Sequence, residues 1–167
     1  NTLNVRIGNP DLSQEFSHAM RVQFTSVNPF KNRNLFLFLN LIKTDNKIVN
    51  SQIISNGSTT TKPVNVDGIY NLNGDISFGF PIRFLKGNVN LSANGGYLRN
   101  KQFVNLIQNN SDNYSFGPDI RLDFPIVDKI SVVMGAGINY NKTNFTLGSS
   151  RDVEYLSHRY MTEFDWQ

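Results

Sequence analysis

Residues 69–84 read Ile69-Tyr70-Asn71-Leu72-Asn73-Gly74-Asp75-Ile76-Ser77-Phe78-Gly79-Phe80-Pro81-Ile82-Arg83-Phe84. The even positions are Tyr70, Leu72, Gly74, Ile76, Phe78, Phe80, Ile82 and Phe84, and the odd positions after Ile69 are Asn71, Asn73, Asp75, Ser77, Gly79, Pro81 and Arg83. Successive side chains of a strand point to opposite faces, so this is a long strand with one apolar and one polar face. The alternation returns in Tyr114–Phe124, where Tyr114, Phe116, Pro118, Ile120, Leu122 and Phe124 oppose Ser115, Gly117, Asp119, Arg121 and Asp123. Ile130–Tyr140 and Leu156–Trp166 repeat it, and similar strands are expected near His18–Ser26, Asn34–Lys43 and Asn88–Leu98. No segment keeps apolar residues at three- and four-residue spacing for more than two turns, so helices are not expected. The fold class is all-β: an antiparallel up-and-down meander of about seven long strands.

Composition narrows the function. The 167 residues are 39% hydrophobic and only 17% charged, and uncharged polar residues, asparagine above all, fill the difference. Thirteen Phe are too many for a disordered polar chain. With no Cys and two His, thiolate metal sites, disulfide scaffolds and histidine-rich centres are excluded, and no cofactor is expected. The net charge of +3 comes without a run of Lys and Arg, so no nucleic-acid partner is expected. No stretch approaches ~18 consecutive apolar residues, which removes a transmembrane helix. A transmembrane strand is untouched by that test, because its signal is alternation.

The connections and the aromatics point to a membrane. Asn28–Asn32, Leu85–Gly87 and Pro125–Lys129 read as tight turns, and Ser55–Thr60, Val104–Asp112 and Thr146–Arg151 as longer polar loops, so the two ends of the sheet differ. Tyr114 and Phe124 lie ten positions apart, as do Ile130 and Tyr140. A tilted strand needs ~9–11 residues to cross a bilayer, with aromatic girdles at its margins. Tyr97, Tyr114, Phe116, Phe124 and Tyr140 are therefore expected to form a lipid-facing aromatic belt. Asp75, Arg83, Asp119, Arg121, Asp123, Arg159 and Glu163 are expected on the lumen-facing side. The short turns are expected at the periplasmic end and the longer loops outside.

Three segments carry a resemblance. Gly8-Asn9-Pro10-Asp11-Leu12-Ser13-Gln14-Glu15-Phe16-Ser17-His18 is similar to the G-N-P-x-L-x-x-E-x-S segment of TonB-dependent outer-membrane receptors, in the form found in Bacteroidetes-type bacteria. The resemblance continues through Phe38-Leu39-Asn40-Leu41, Asp45-Asn46-Lys47-Ile48-Val49-Asn50 and Thr60–Gly68 with its Pro63-Val64-Asn65-Val66-Asp67-Gly68. It implies the bacterial cell outer membrane and active uptake of a bulky solute: an iron chelate, cobalamin, a glycan or a peptide. Residues 1–167 would then be one segment of a barrel domain, with the plug domain and the remaining strands absent. The implied partners are outer-membrane lipid, the protein's own plug and the rest of its barrel, and the TonB complex through parts outside this sequence. A surface lipoprotein is a further candidate partner.

Two other readings of the same residues stay open. One is an exported soluble β-sandwich that binds carbohydrate or protein. The other is a complete small structural barrel, in which residues 2–7 would add an eighth strand. Catalysis is not expected. The same-face pairs Asp119 with Asp123 and Glu163 with Asp165 arise from strand geometry alone, and His18 and His158 lack metal-ligand spacing.

Overall fold

The computed structural model describes residues 3–127, 129–147 and 151–166. Ten strands run in chain order: β1 (Leu3–Arg6), β2 (Phe16–Asn28), β3 (Arg33–Asp45), β4 (Lys47–Ser55), β5 (Ser58–Val66), β6 (Ile69–Ile82), β7 (Gly87–Val104), β8 (Ile107–Val127), β9 (Ile130–Phe145) and β10 (Val153–Trp166). Seven of them form a continuous antiparallel wall in the order β2-β3-β6-β7-β8-β9-β10. These seven are the strands that alternation marks out. The other three, β1, β4 and β5, extend the same sheet at one end, joined to the wall through β4 and β7.

The wall is a single layer. Only Val66, Ile69, Val89, Val132 and Val133 are buried apolar residues, and among the described residues no large side chain is fully enclosed. Antiparallel partners share a face, so the register fixes two surfaces across all seven strands. One carries Met20, Val22 and Phe24, then Leu37, Leu39 and Leu41, then Ile76 and Phe78, and continues through Leu91, Ile120, Met134 and Phe164. The opposite surface is mostly polar, with apolar residues at Phe36, Phe38 and Ile42 of β3, the strand apolar on both faces, and singly elsewhere, as at Leu98, Val133 and Met161.

The turn end is built from two similar 3-10 turns. Pro29–Lys31 is capped by the Asn28 side chain, which accepts from the Lys31 N–H at 3.0 Å, and it ends on Asn32 in the left-handed region at φ 46°. Arg83–Leu85 ends likewise on Lys86 at φ 49°. Each turn holds a phenylalanine at its tip, Phe30 101% and Phe84 84% exposed. The alternating run of β6 therefore stops at Ile82. Arg83 lies in the turn and not on the strand face expected for it. In the third connection β8 and β9 meet at Val127 and Ile130 after a register shift between Pro125 and Val127, and residue 128 lies outside the described residues.

The opposite end differs from the expected polar loops. Ser55–Thr60 is no loop: β4 and β5 pair throughout, closed by Asn56 at φ 46° and Gly57 at φ +76°. Val104–Asp112 is likewise a hairpin closed by Asn105 and Leu106 at φ 50° and 65°. Positive φ at both central residues is what a two-residue hairpin turn requires. Polar residues there continue the ladder instead of leaving it, as in Gln102 opposite Asn109. The third connection, Thr146–Arg151, includes residues 148–150, which lie outside the described residues. β7 runs seven residues past Tyr97, so its hairpin lies roughly 23 Å farther along the strand than that residue.

Residues 3–6 do not supply an eighth wall strand. β1 pairs in parallel with β5, Leu3 opposite Ser58 through Arg6 opposite Thr61. Residue 2 lies outside the described residues.

Candidate functional site

Two features of the sheet carry function: its pair of unlike faces, and the junction where β3 passes into β4 and β5 into β6.

On the apolar face the register sets Tyr97 opposite Tyr114, their ring centroids 5.0 Å apart, and Phe116 opposite Tyr140 one step below. Phe124 lies toward the turn end, opposite Val132, which is itself opposite Phe164. Tyr114 and Phe124 are ten residues apart along β8. That is roughly 33 Å of strand, or about 23 Å of vertical rise at a 45° tilt, close to the ~25 Å apolar band of outer-membrane strands. Just past the tyrosines the face becomes ionic. Asp112 accepts from Tyr97 Oη at 2.7 Å and from Arg99 Nε and Nη2 at 2.6 and 3.0 Å.

Asp75, Asp119, Arg121, Asp123, Arg159 and Glu163 all occupy the other face. The structure brings Asp119 and Arg159 together across β9: Arg159 Nη2 donates to Asp119 Oδ2 at 2.6 Å. Between them lies Gly137, where a Cβ would stand 2.5 Å from that oxygen. Arg121 and Asp123 border a shallow hollow of about 350 Å3 with Asn32, Asn34, Asn88 and Asn90. Asn32 Nδ2 donates to Asn88 Oδ1 there at 2.6 Å. Gly79 lies beneath the Asn34 side chain, and Gly117 is flanked by the Asn94 and Asn139 amides. Asp75 and Glu163 stand apart from these contacts, Asp75 opposite Phe38 and Asn94, Glu163 opposite Val133.

The junction brings together three segments that lie far apart in sequence. β3 is interrupted at Asn46 (φ 52°) and the β5–β6 run at Gly68 (φ +74°), yet pairing keeps one register across both breaks, Thr44 opposite Ile69 and Lys47 opposite Val66. The positive φ at Gly68 favours glycine, and the Lys101 ammonium lies over the position its Cβ would take. Across the break the ribbon exchanges edges. Below it β6 flanks β7, and above it β4 does, in parallel, with Ser51 opposite Phe103 and Gln52 opposite Val104.

Residues 9–15 clasp this crossing. Asn9 Nδ2 donates to the Pro63 carbonyl at 2.9 Å. The Asn65 side chain accepts from the Ser13 N–H at 2.8 Å and donates to the carbonyls of Ser13 at 3.0 Å and Asn46 at 2.6 Å. The Asn46 N–H donates to Asp67 Oδ1 at 2.8 Å. Glu15 accepts from Lys47 Nζ at 2.8 Å and from the Ile48 N–H at 3.2 Å. The Gly-Asn-Pro, Asn-Lys-Ile and Pro-Val-Asn-Val-Asp-Gly segments are thus parts of one object. The sequence shows the segments, but their meeting depends on the edge exchange, which alternation does not encode.

Glu15 makes the clasp acid-sensitive. The Lys47 ammonium, and after it the Ile48 N–H, hold its carboxyl below the ordinary value of 4.5. A lowered folded value contributes stability that is complete above 4.5 and is lost as the pH falls through the lowered value. Hydrogen-exchange protection of β1 and residues 8–15, corrected for intrinsic rates, should therefore fall in acid, below the ordinary carboxyl value of 4.5. Glu15→Gln should show reduced protection at neutral pH and no further acid loss. Equal acid loss in the two proteins would remove Glu15 from the account.

A single antiparallel layer with a continuous apolar face, aromatics at its margins and a polar face behind is the wall of a transmembrane β-barrel. The chain belongs to the outer membrane protein beta-barrel family, whose sequence model matches residues 1–157, and its place is the bacterial outer membrane. No curated protein and no solved structure matches it significantly.

Proposed function

We propose that this chain forms part of the wall of a large TonB-dependent receptor that takes up a bulky solute. The observation that carries the reading is the parity of the wall. With seven strands, β2 and β10 run in the same direction, and among the described residues neither outer edge is paired. Joining them to each other would make a parallel seam, whereas bacterial outer-membrane barrels are antiparallel with even strand numbers. Antiparallel closure needs an odd number of further strands. Every even-stranded barrel meets that condition, and a transporter of ~22 strands with a plugged lumen, leaving about fifteen, is the size that the resemblance of residues 8–18 and 60–68 favours.

In this reading the apolar face meets lipid, and the polar face borders the plug and the solute path. The solute is an iron chelate, cobalamin, a glycan or a peptide, energy arrives through the TonB complex, and a surface lipoprotein is a candidate partner. No catalytic role is proposed, since Asp119 is engaged by Arg159 at 2.6 Å.

The test is gene-dependent accumulation of labelled ferric chelates, cobalamin, oligosaccharides and peptides by intact cells. Accumulation of one of them that disappears on loss of TonB supports the proposal. Accumulation indifferent to TonB overturns the energy coupling. A native outer-membrane band near 18.9 kDa would overturn the large-barrel reading in favour of a small barrel.

A further inference from the structure

The ribbon β4–β5 is attached differently from the wall below it. Its two interruptions, Asn46 on one strand and Asp67–Gly68 on the other, face each other at one level. A ribbon broken on both strands at the same height can bend there without losing a ladder bond elsewhere. Its lateral hold on the wall is narrow. Two register pairs join β4 to β7, against thirteen between β6 and β7 below. One residue reinforces that hold: the Asn105 N–H donates to the Gln52 carbonyl at 2.7 Å, and Asn105 Oδ1 accepts from the Ile54 N–H at 2.7 Å. Asn105 makes both contacts from a left-handed turn position at φ 50°. On its other edge β5 carries β1, Leu3–Arg6 opposite Ser58–Thr61, which would move with it, and the clasp of Asn9, Ser13 and Glu15 lies at the base beside the hinge.

We propose that residues 47–66 are a hinged strap at the loop end of the wall, turning about Asn46 and Gly68 and latched to β7 by Asn105. Latched, β4 lies along β7. Released, the hairpin keeps its own β4–β5 pairing and swings as one body. The inference concerns movement of this chain alone. Failure of TonB-dependent uptake would leave it standing, and a rigid strap would leave the uptake reading standing.

The nine residues of β4 span about 30 Å, so a swing of about 20° moves the tip about 10 Å. Spin labels on Thr59→Cys and Gln108→Cys, in the full-length protein in outer-membrane vesicles, would read that displacement as a distance distribution. The protein with the native latch should give one narrow distance. Asn105→Gly keeps the turn conformation but removes the side-chain acceptor, and should add a second population displaced by about 10 Å or more. Asn105→Asp retains an acceptor oxygen and should keep the single distance. A label pair confined to the wall, Gln108→Cys with Glu154→Cys, should be unchanged in every variant, which separates release of the strap from misfolding. An unaltered single distance in Asn105→Gly would overturn the proposal, as would one broad distribution common to all the proteins.

Discussion

Arginine placed at Ile120 should destabilise the folded wall by about 2–4 kcal/mol, and at Leu122 or Met134, nearer the turn-end margin, by less, while arginine at Ser131 or Ser157 should cost well under about 1 kcal/mol. All three share the apolar face: Leu122, opposite Val89 and Met134, lies one step from Phe124 at the turn-end margin, and Ile120, opposite Leu91 and Ala136, lies near the middle of the span. A guanidinium there must shed its hydration or snorkel past a full strand half-length. Ser131 and Ser157 lie on the other face, opposite Asp165 and Asn139. Gly117 shares that polar face but is a poor control. A Cβ there would stand 2.5 Å from Asn139 Oδ1 and 2.8 Å from Asn94 Oδ1, so any side chain must push two amides aside. Urea-driven folding into lipid vesicles measures these differences. Equal costs on both faces would mean that the apolar face is not bathed in lipid.

Surface labelling should divide the two ends of the sheet into all and none. The 3-10 turns at Pro29–Lys31 and Arg83–Leu85 are short, whereas the β7–β8 and β4–β5 hairpins rise well past the tyrosine level. Short turns face the periplasm in outer-membrane barrels. A membrane-impermeant thiol reagent on intact cells should thus label Ser55→Cys and Gln108→Cys and spare Lys31→Cys and Lys86→Cys. The natural chain has no cysteine to compete. The reverse pattern would invert the topology, and labelling at all four positions would show that the strands do not cross.

The wall was legible in the sequence because its signal is strictly local. Every strand from β6 to β10 shows its two faces through side chains two residues apart, and that period survives whatever the neighbouring strands do. The face shared by Asp75, Asp119, Arg121, Asp123, Arg159 and Glu163 follows from the same period. Arg83 fails because a strand pattern contains no sign of where the strand stops, and the 3-10 turn begins at that residue. β4 and β5 were missed for a different reason. Their apolar residues, Ile48, Val49, Ile53 and Ile54 in β4 and Val64 and Val66 in β5, follow no strict alternation, and the polar Ser55–Thr60 between them resembles a loop, although Asn56-Gly57 is a strong hairpin-turn dipeptide. The clasp could not be read at all. Asn9, Asn46, Asn65 and Glu15 are ordinary polar residues until the ribbon exchanges edges and sets them side by side.

The glycines of the polar face give it a particular topography. Gly79, Gly117 and Gly137 are each covered by a neighbouring strand's short polar side chain, from Asn34, from Asn94 and Asn139, and from Asp119. Those side chains lie down across the missing Cβ atoms, and Asp119 reaches over Gly137 to its ion-pair partner instead of projecting from the sheet. At these three places the polar surface is consequently low in relief, with donors and acceptors turned toward one another. A body sliding across them would meet few protruding side chains to catch on and few strong bonds to break at each step. Lengthening any of these three residues would roughen those places without unfolding the wall.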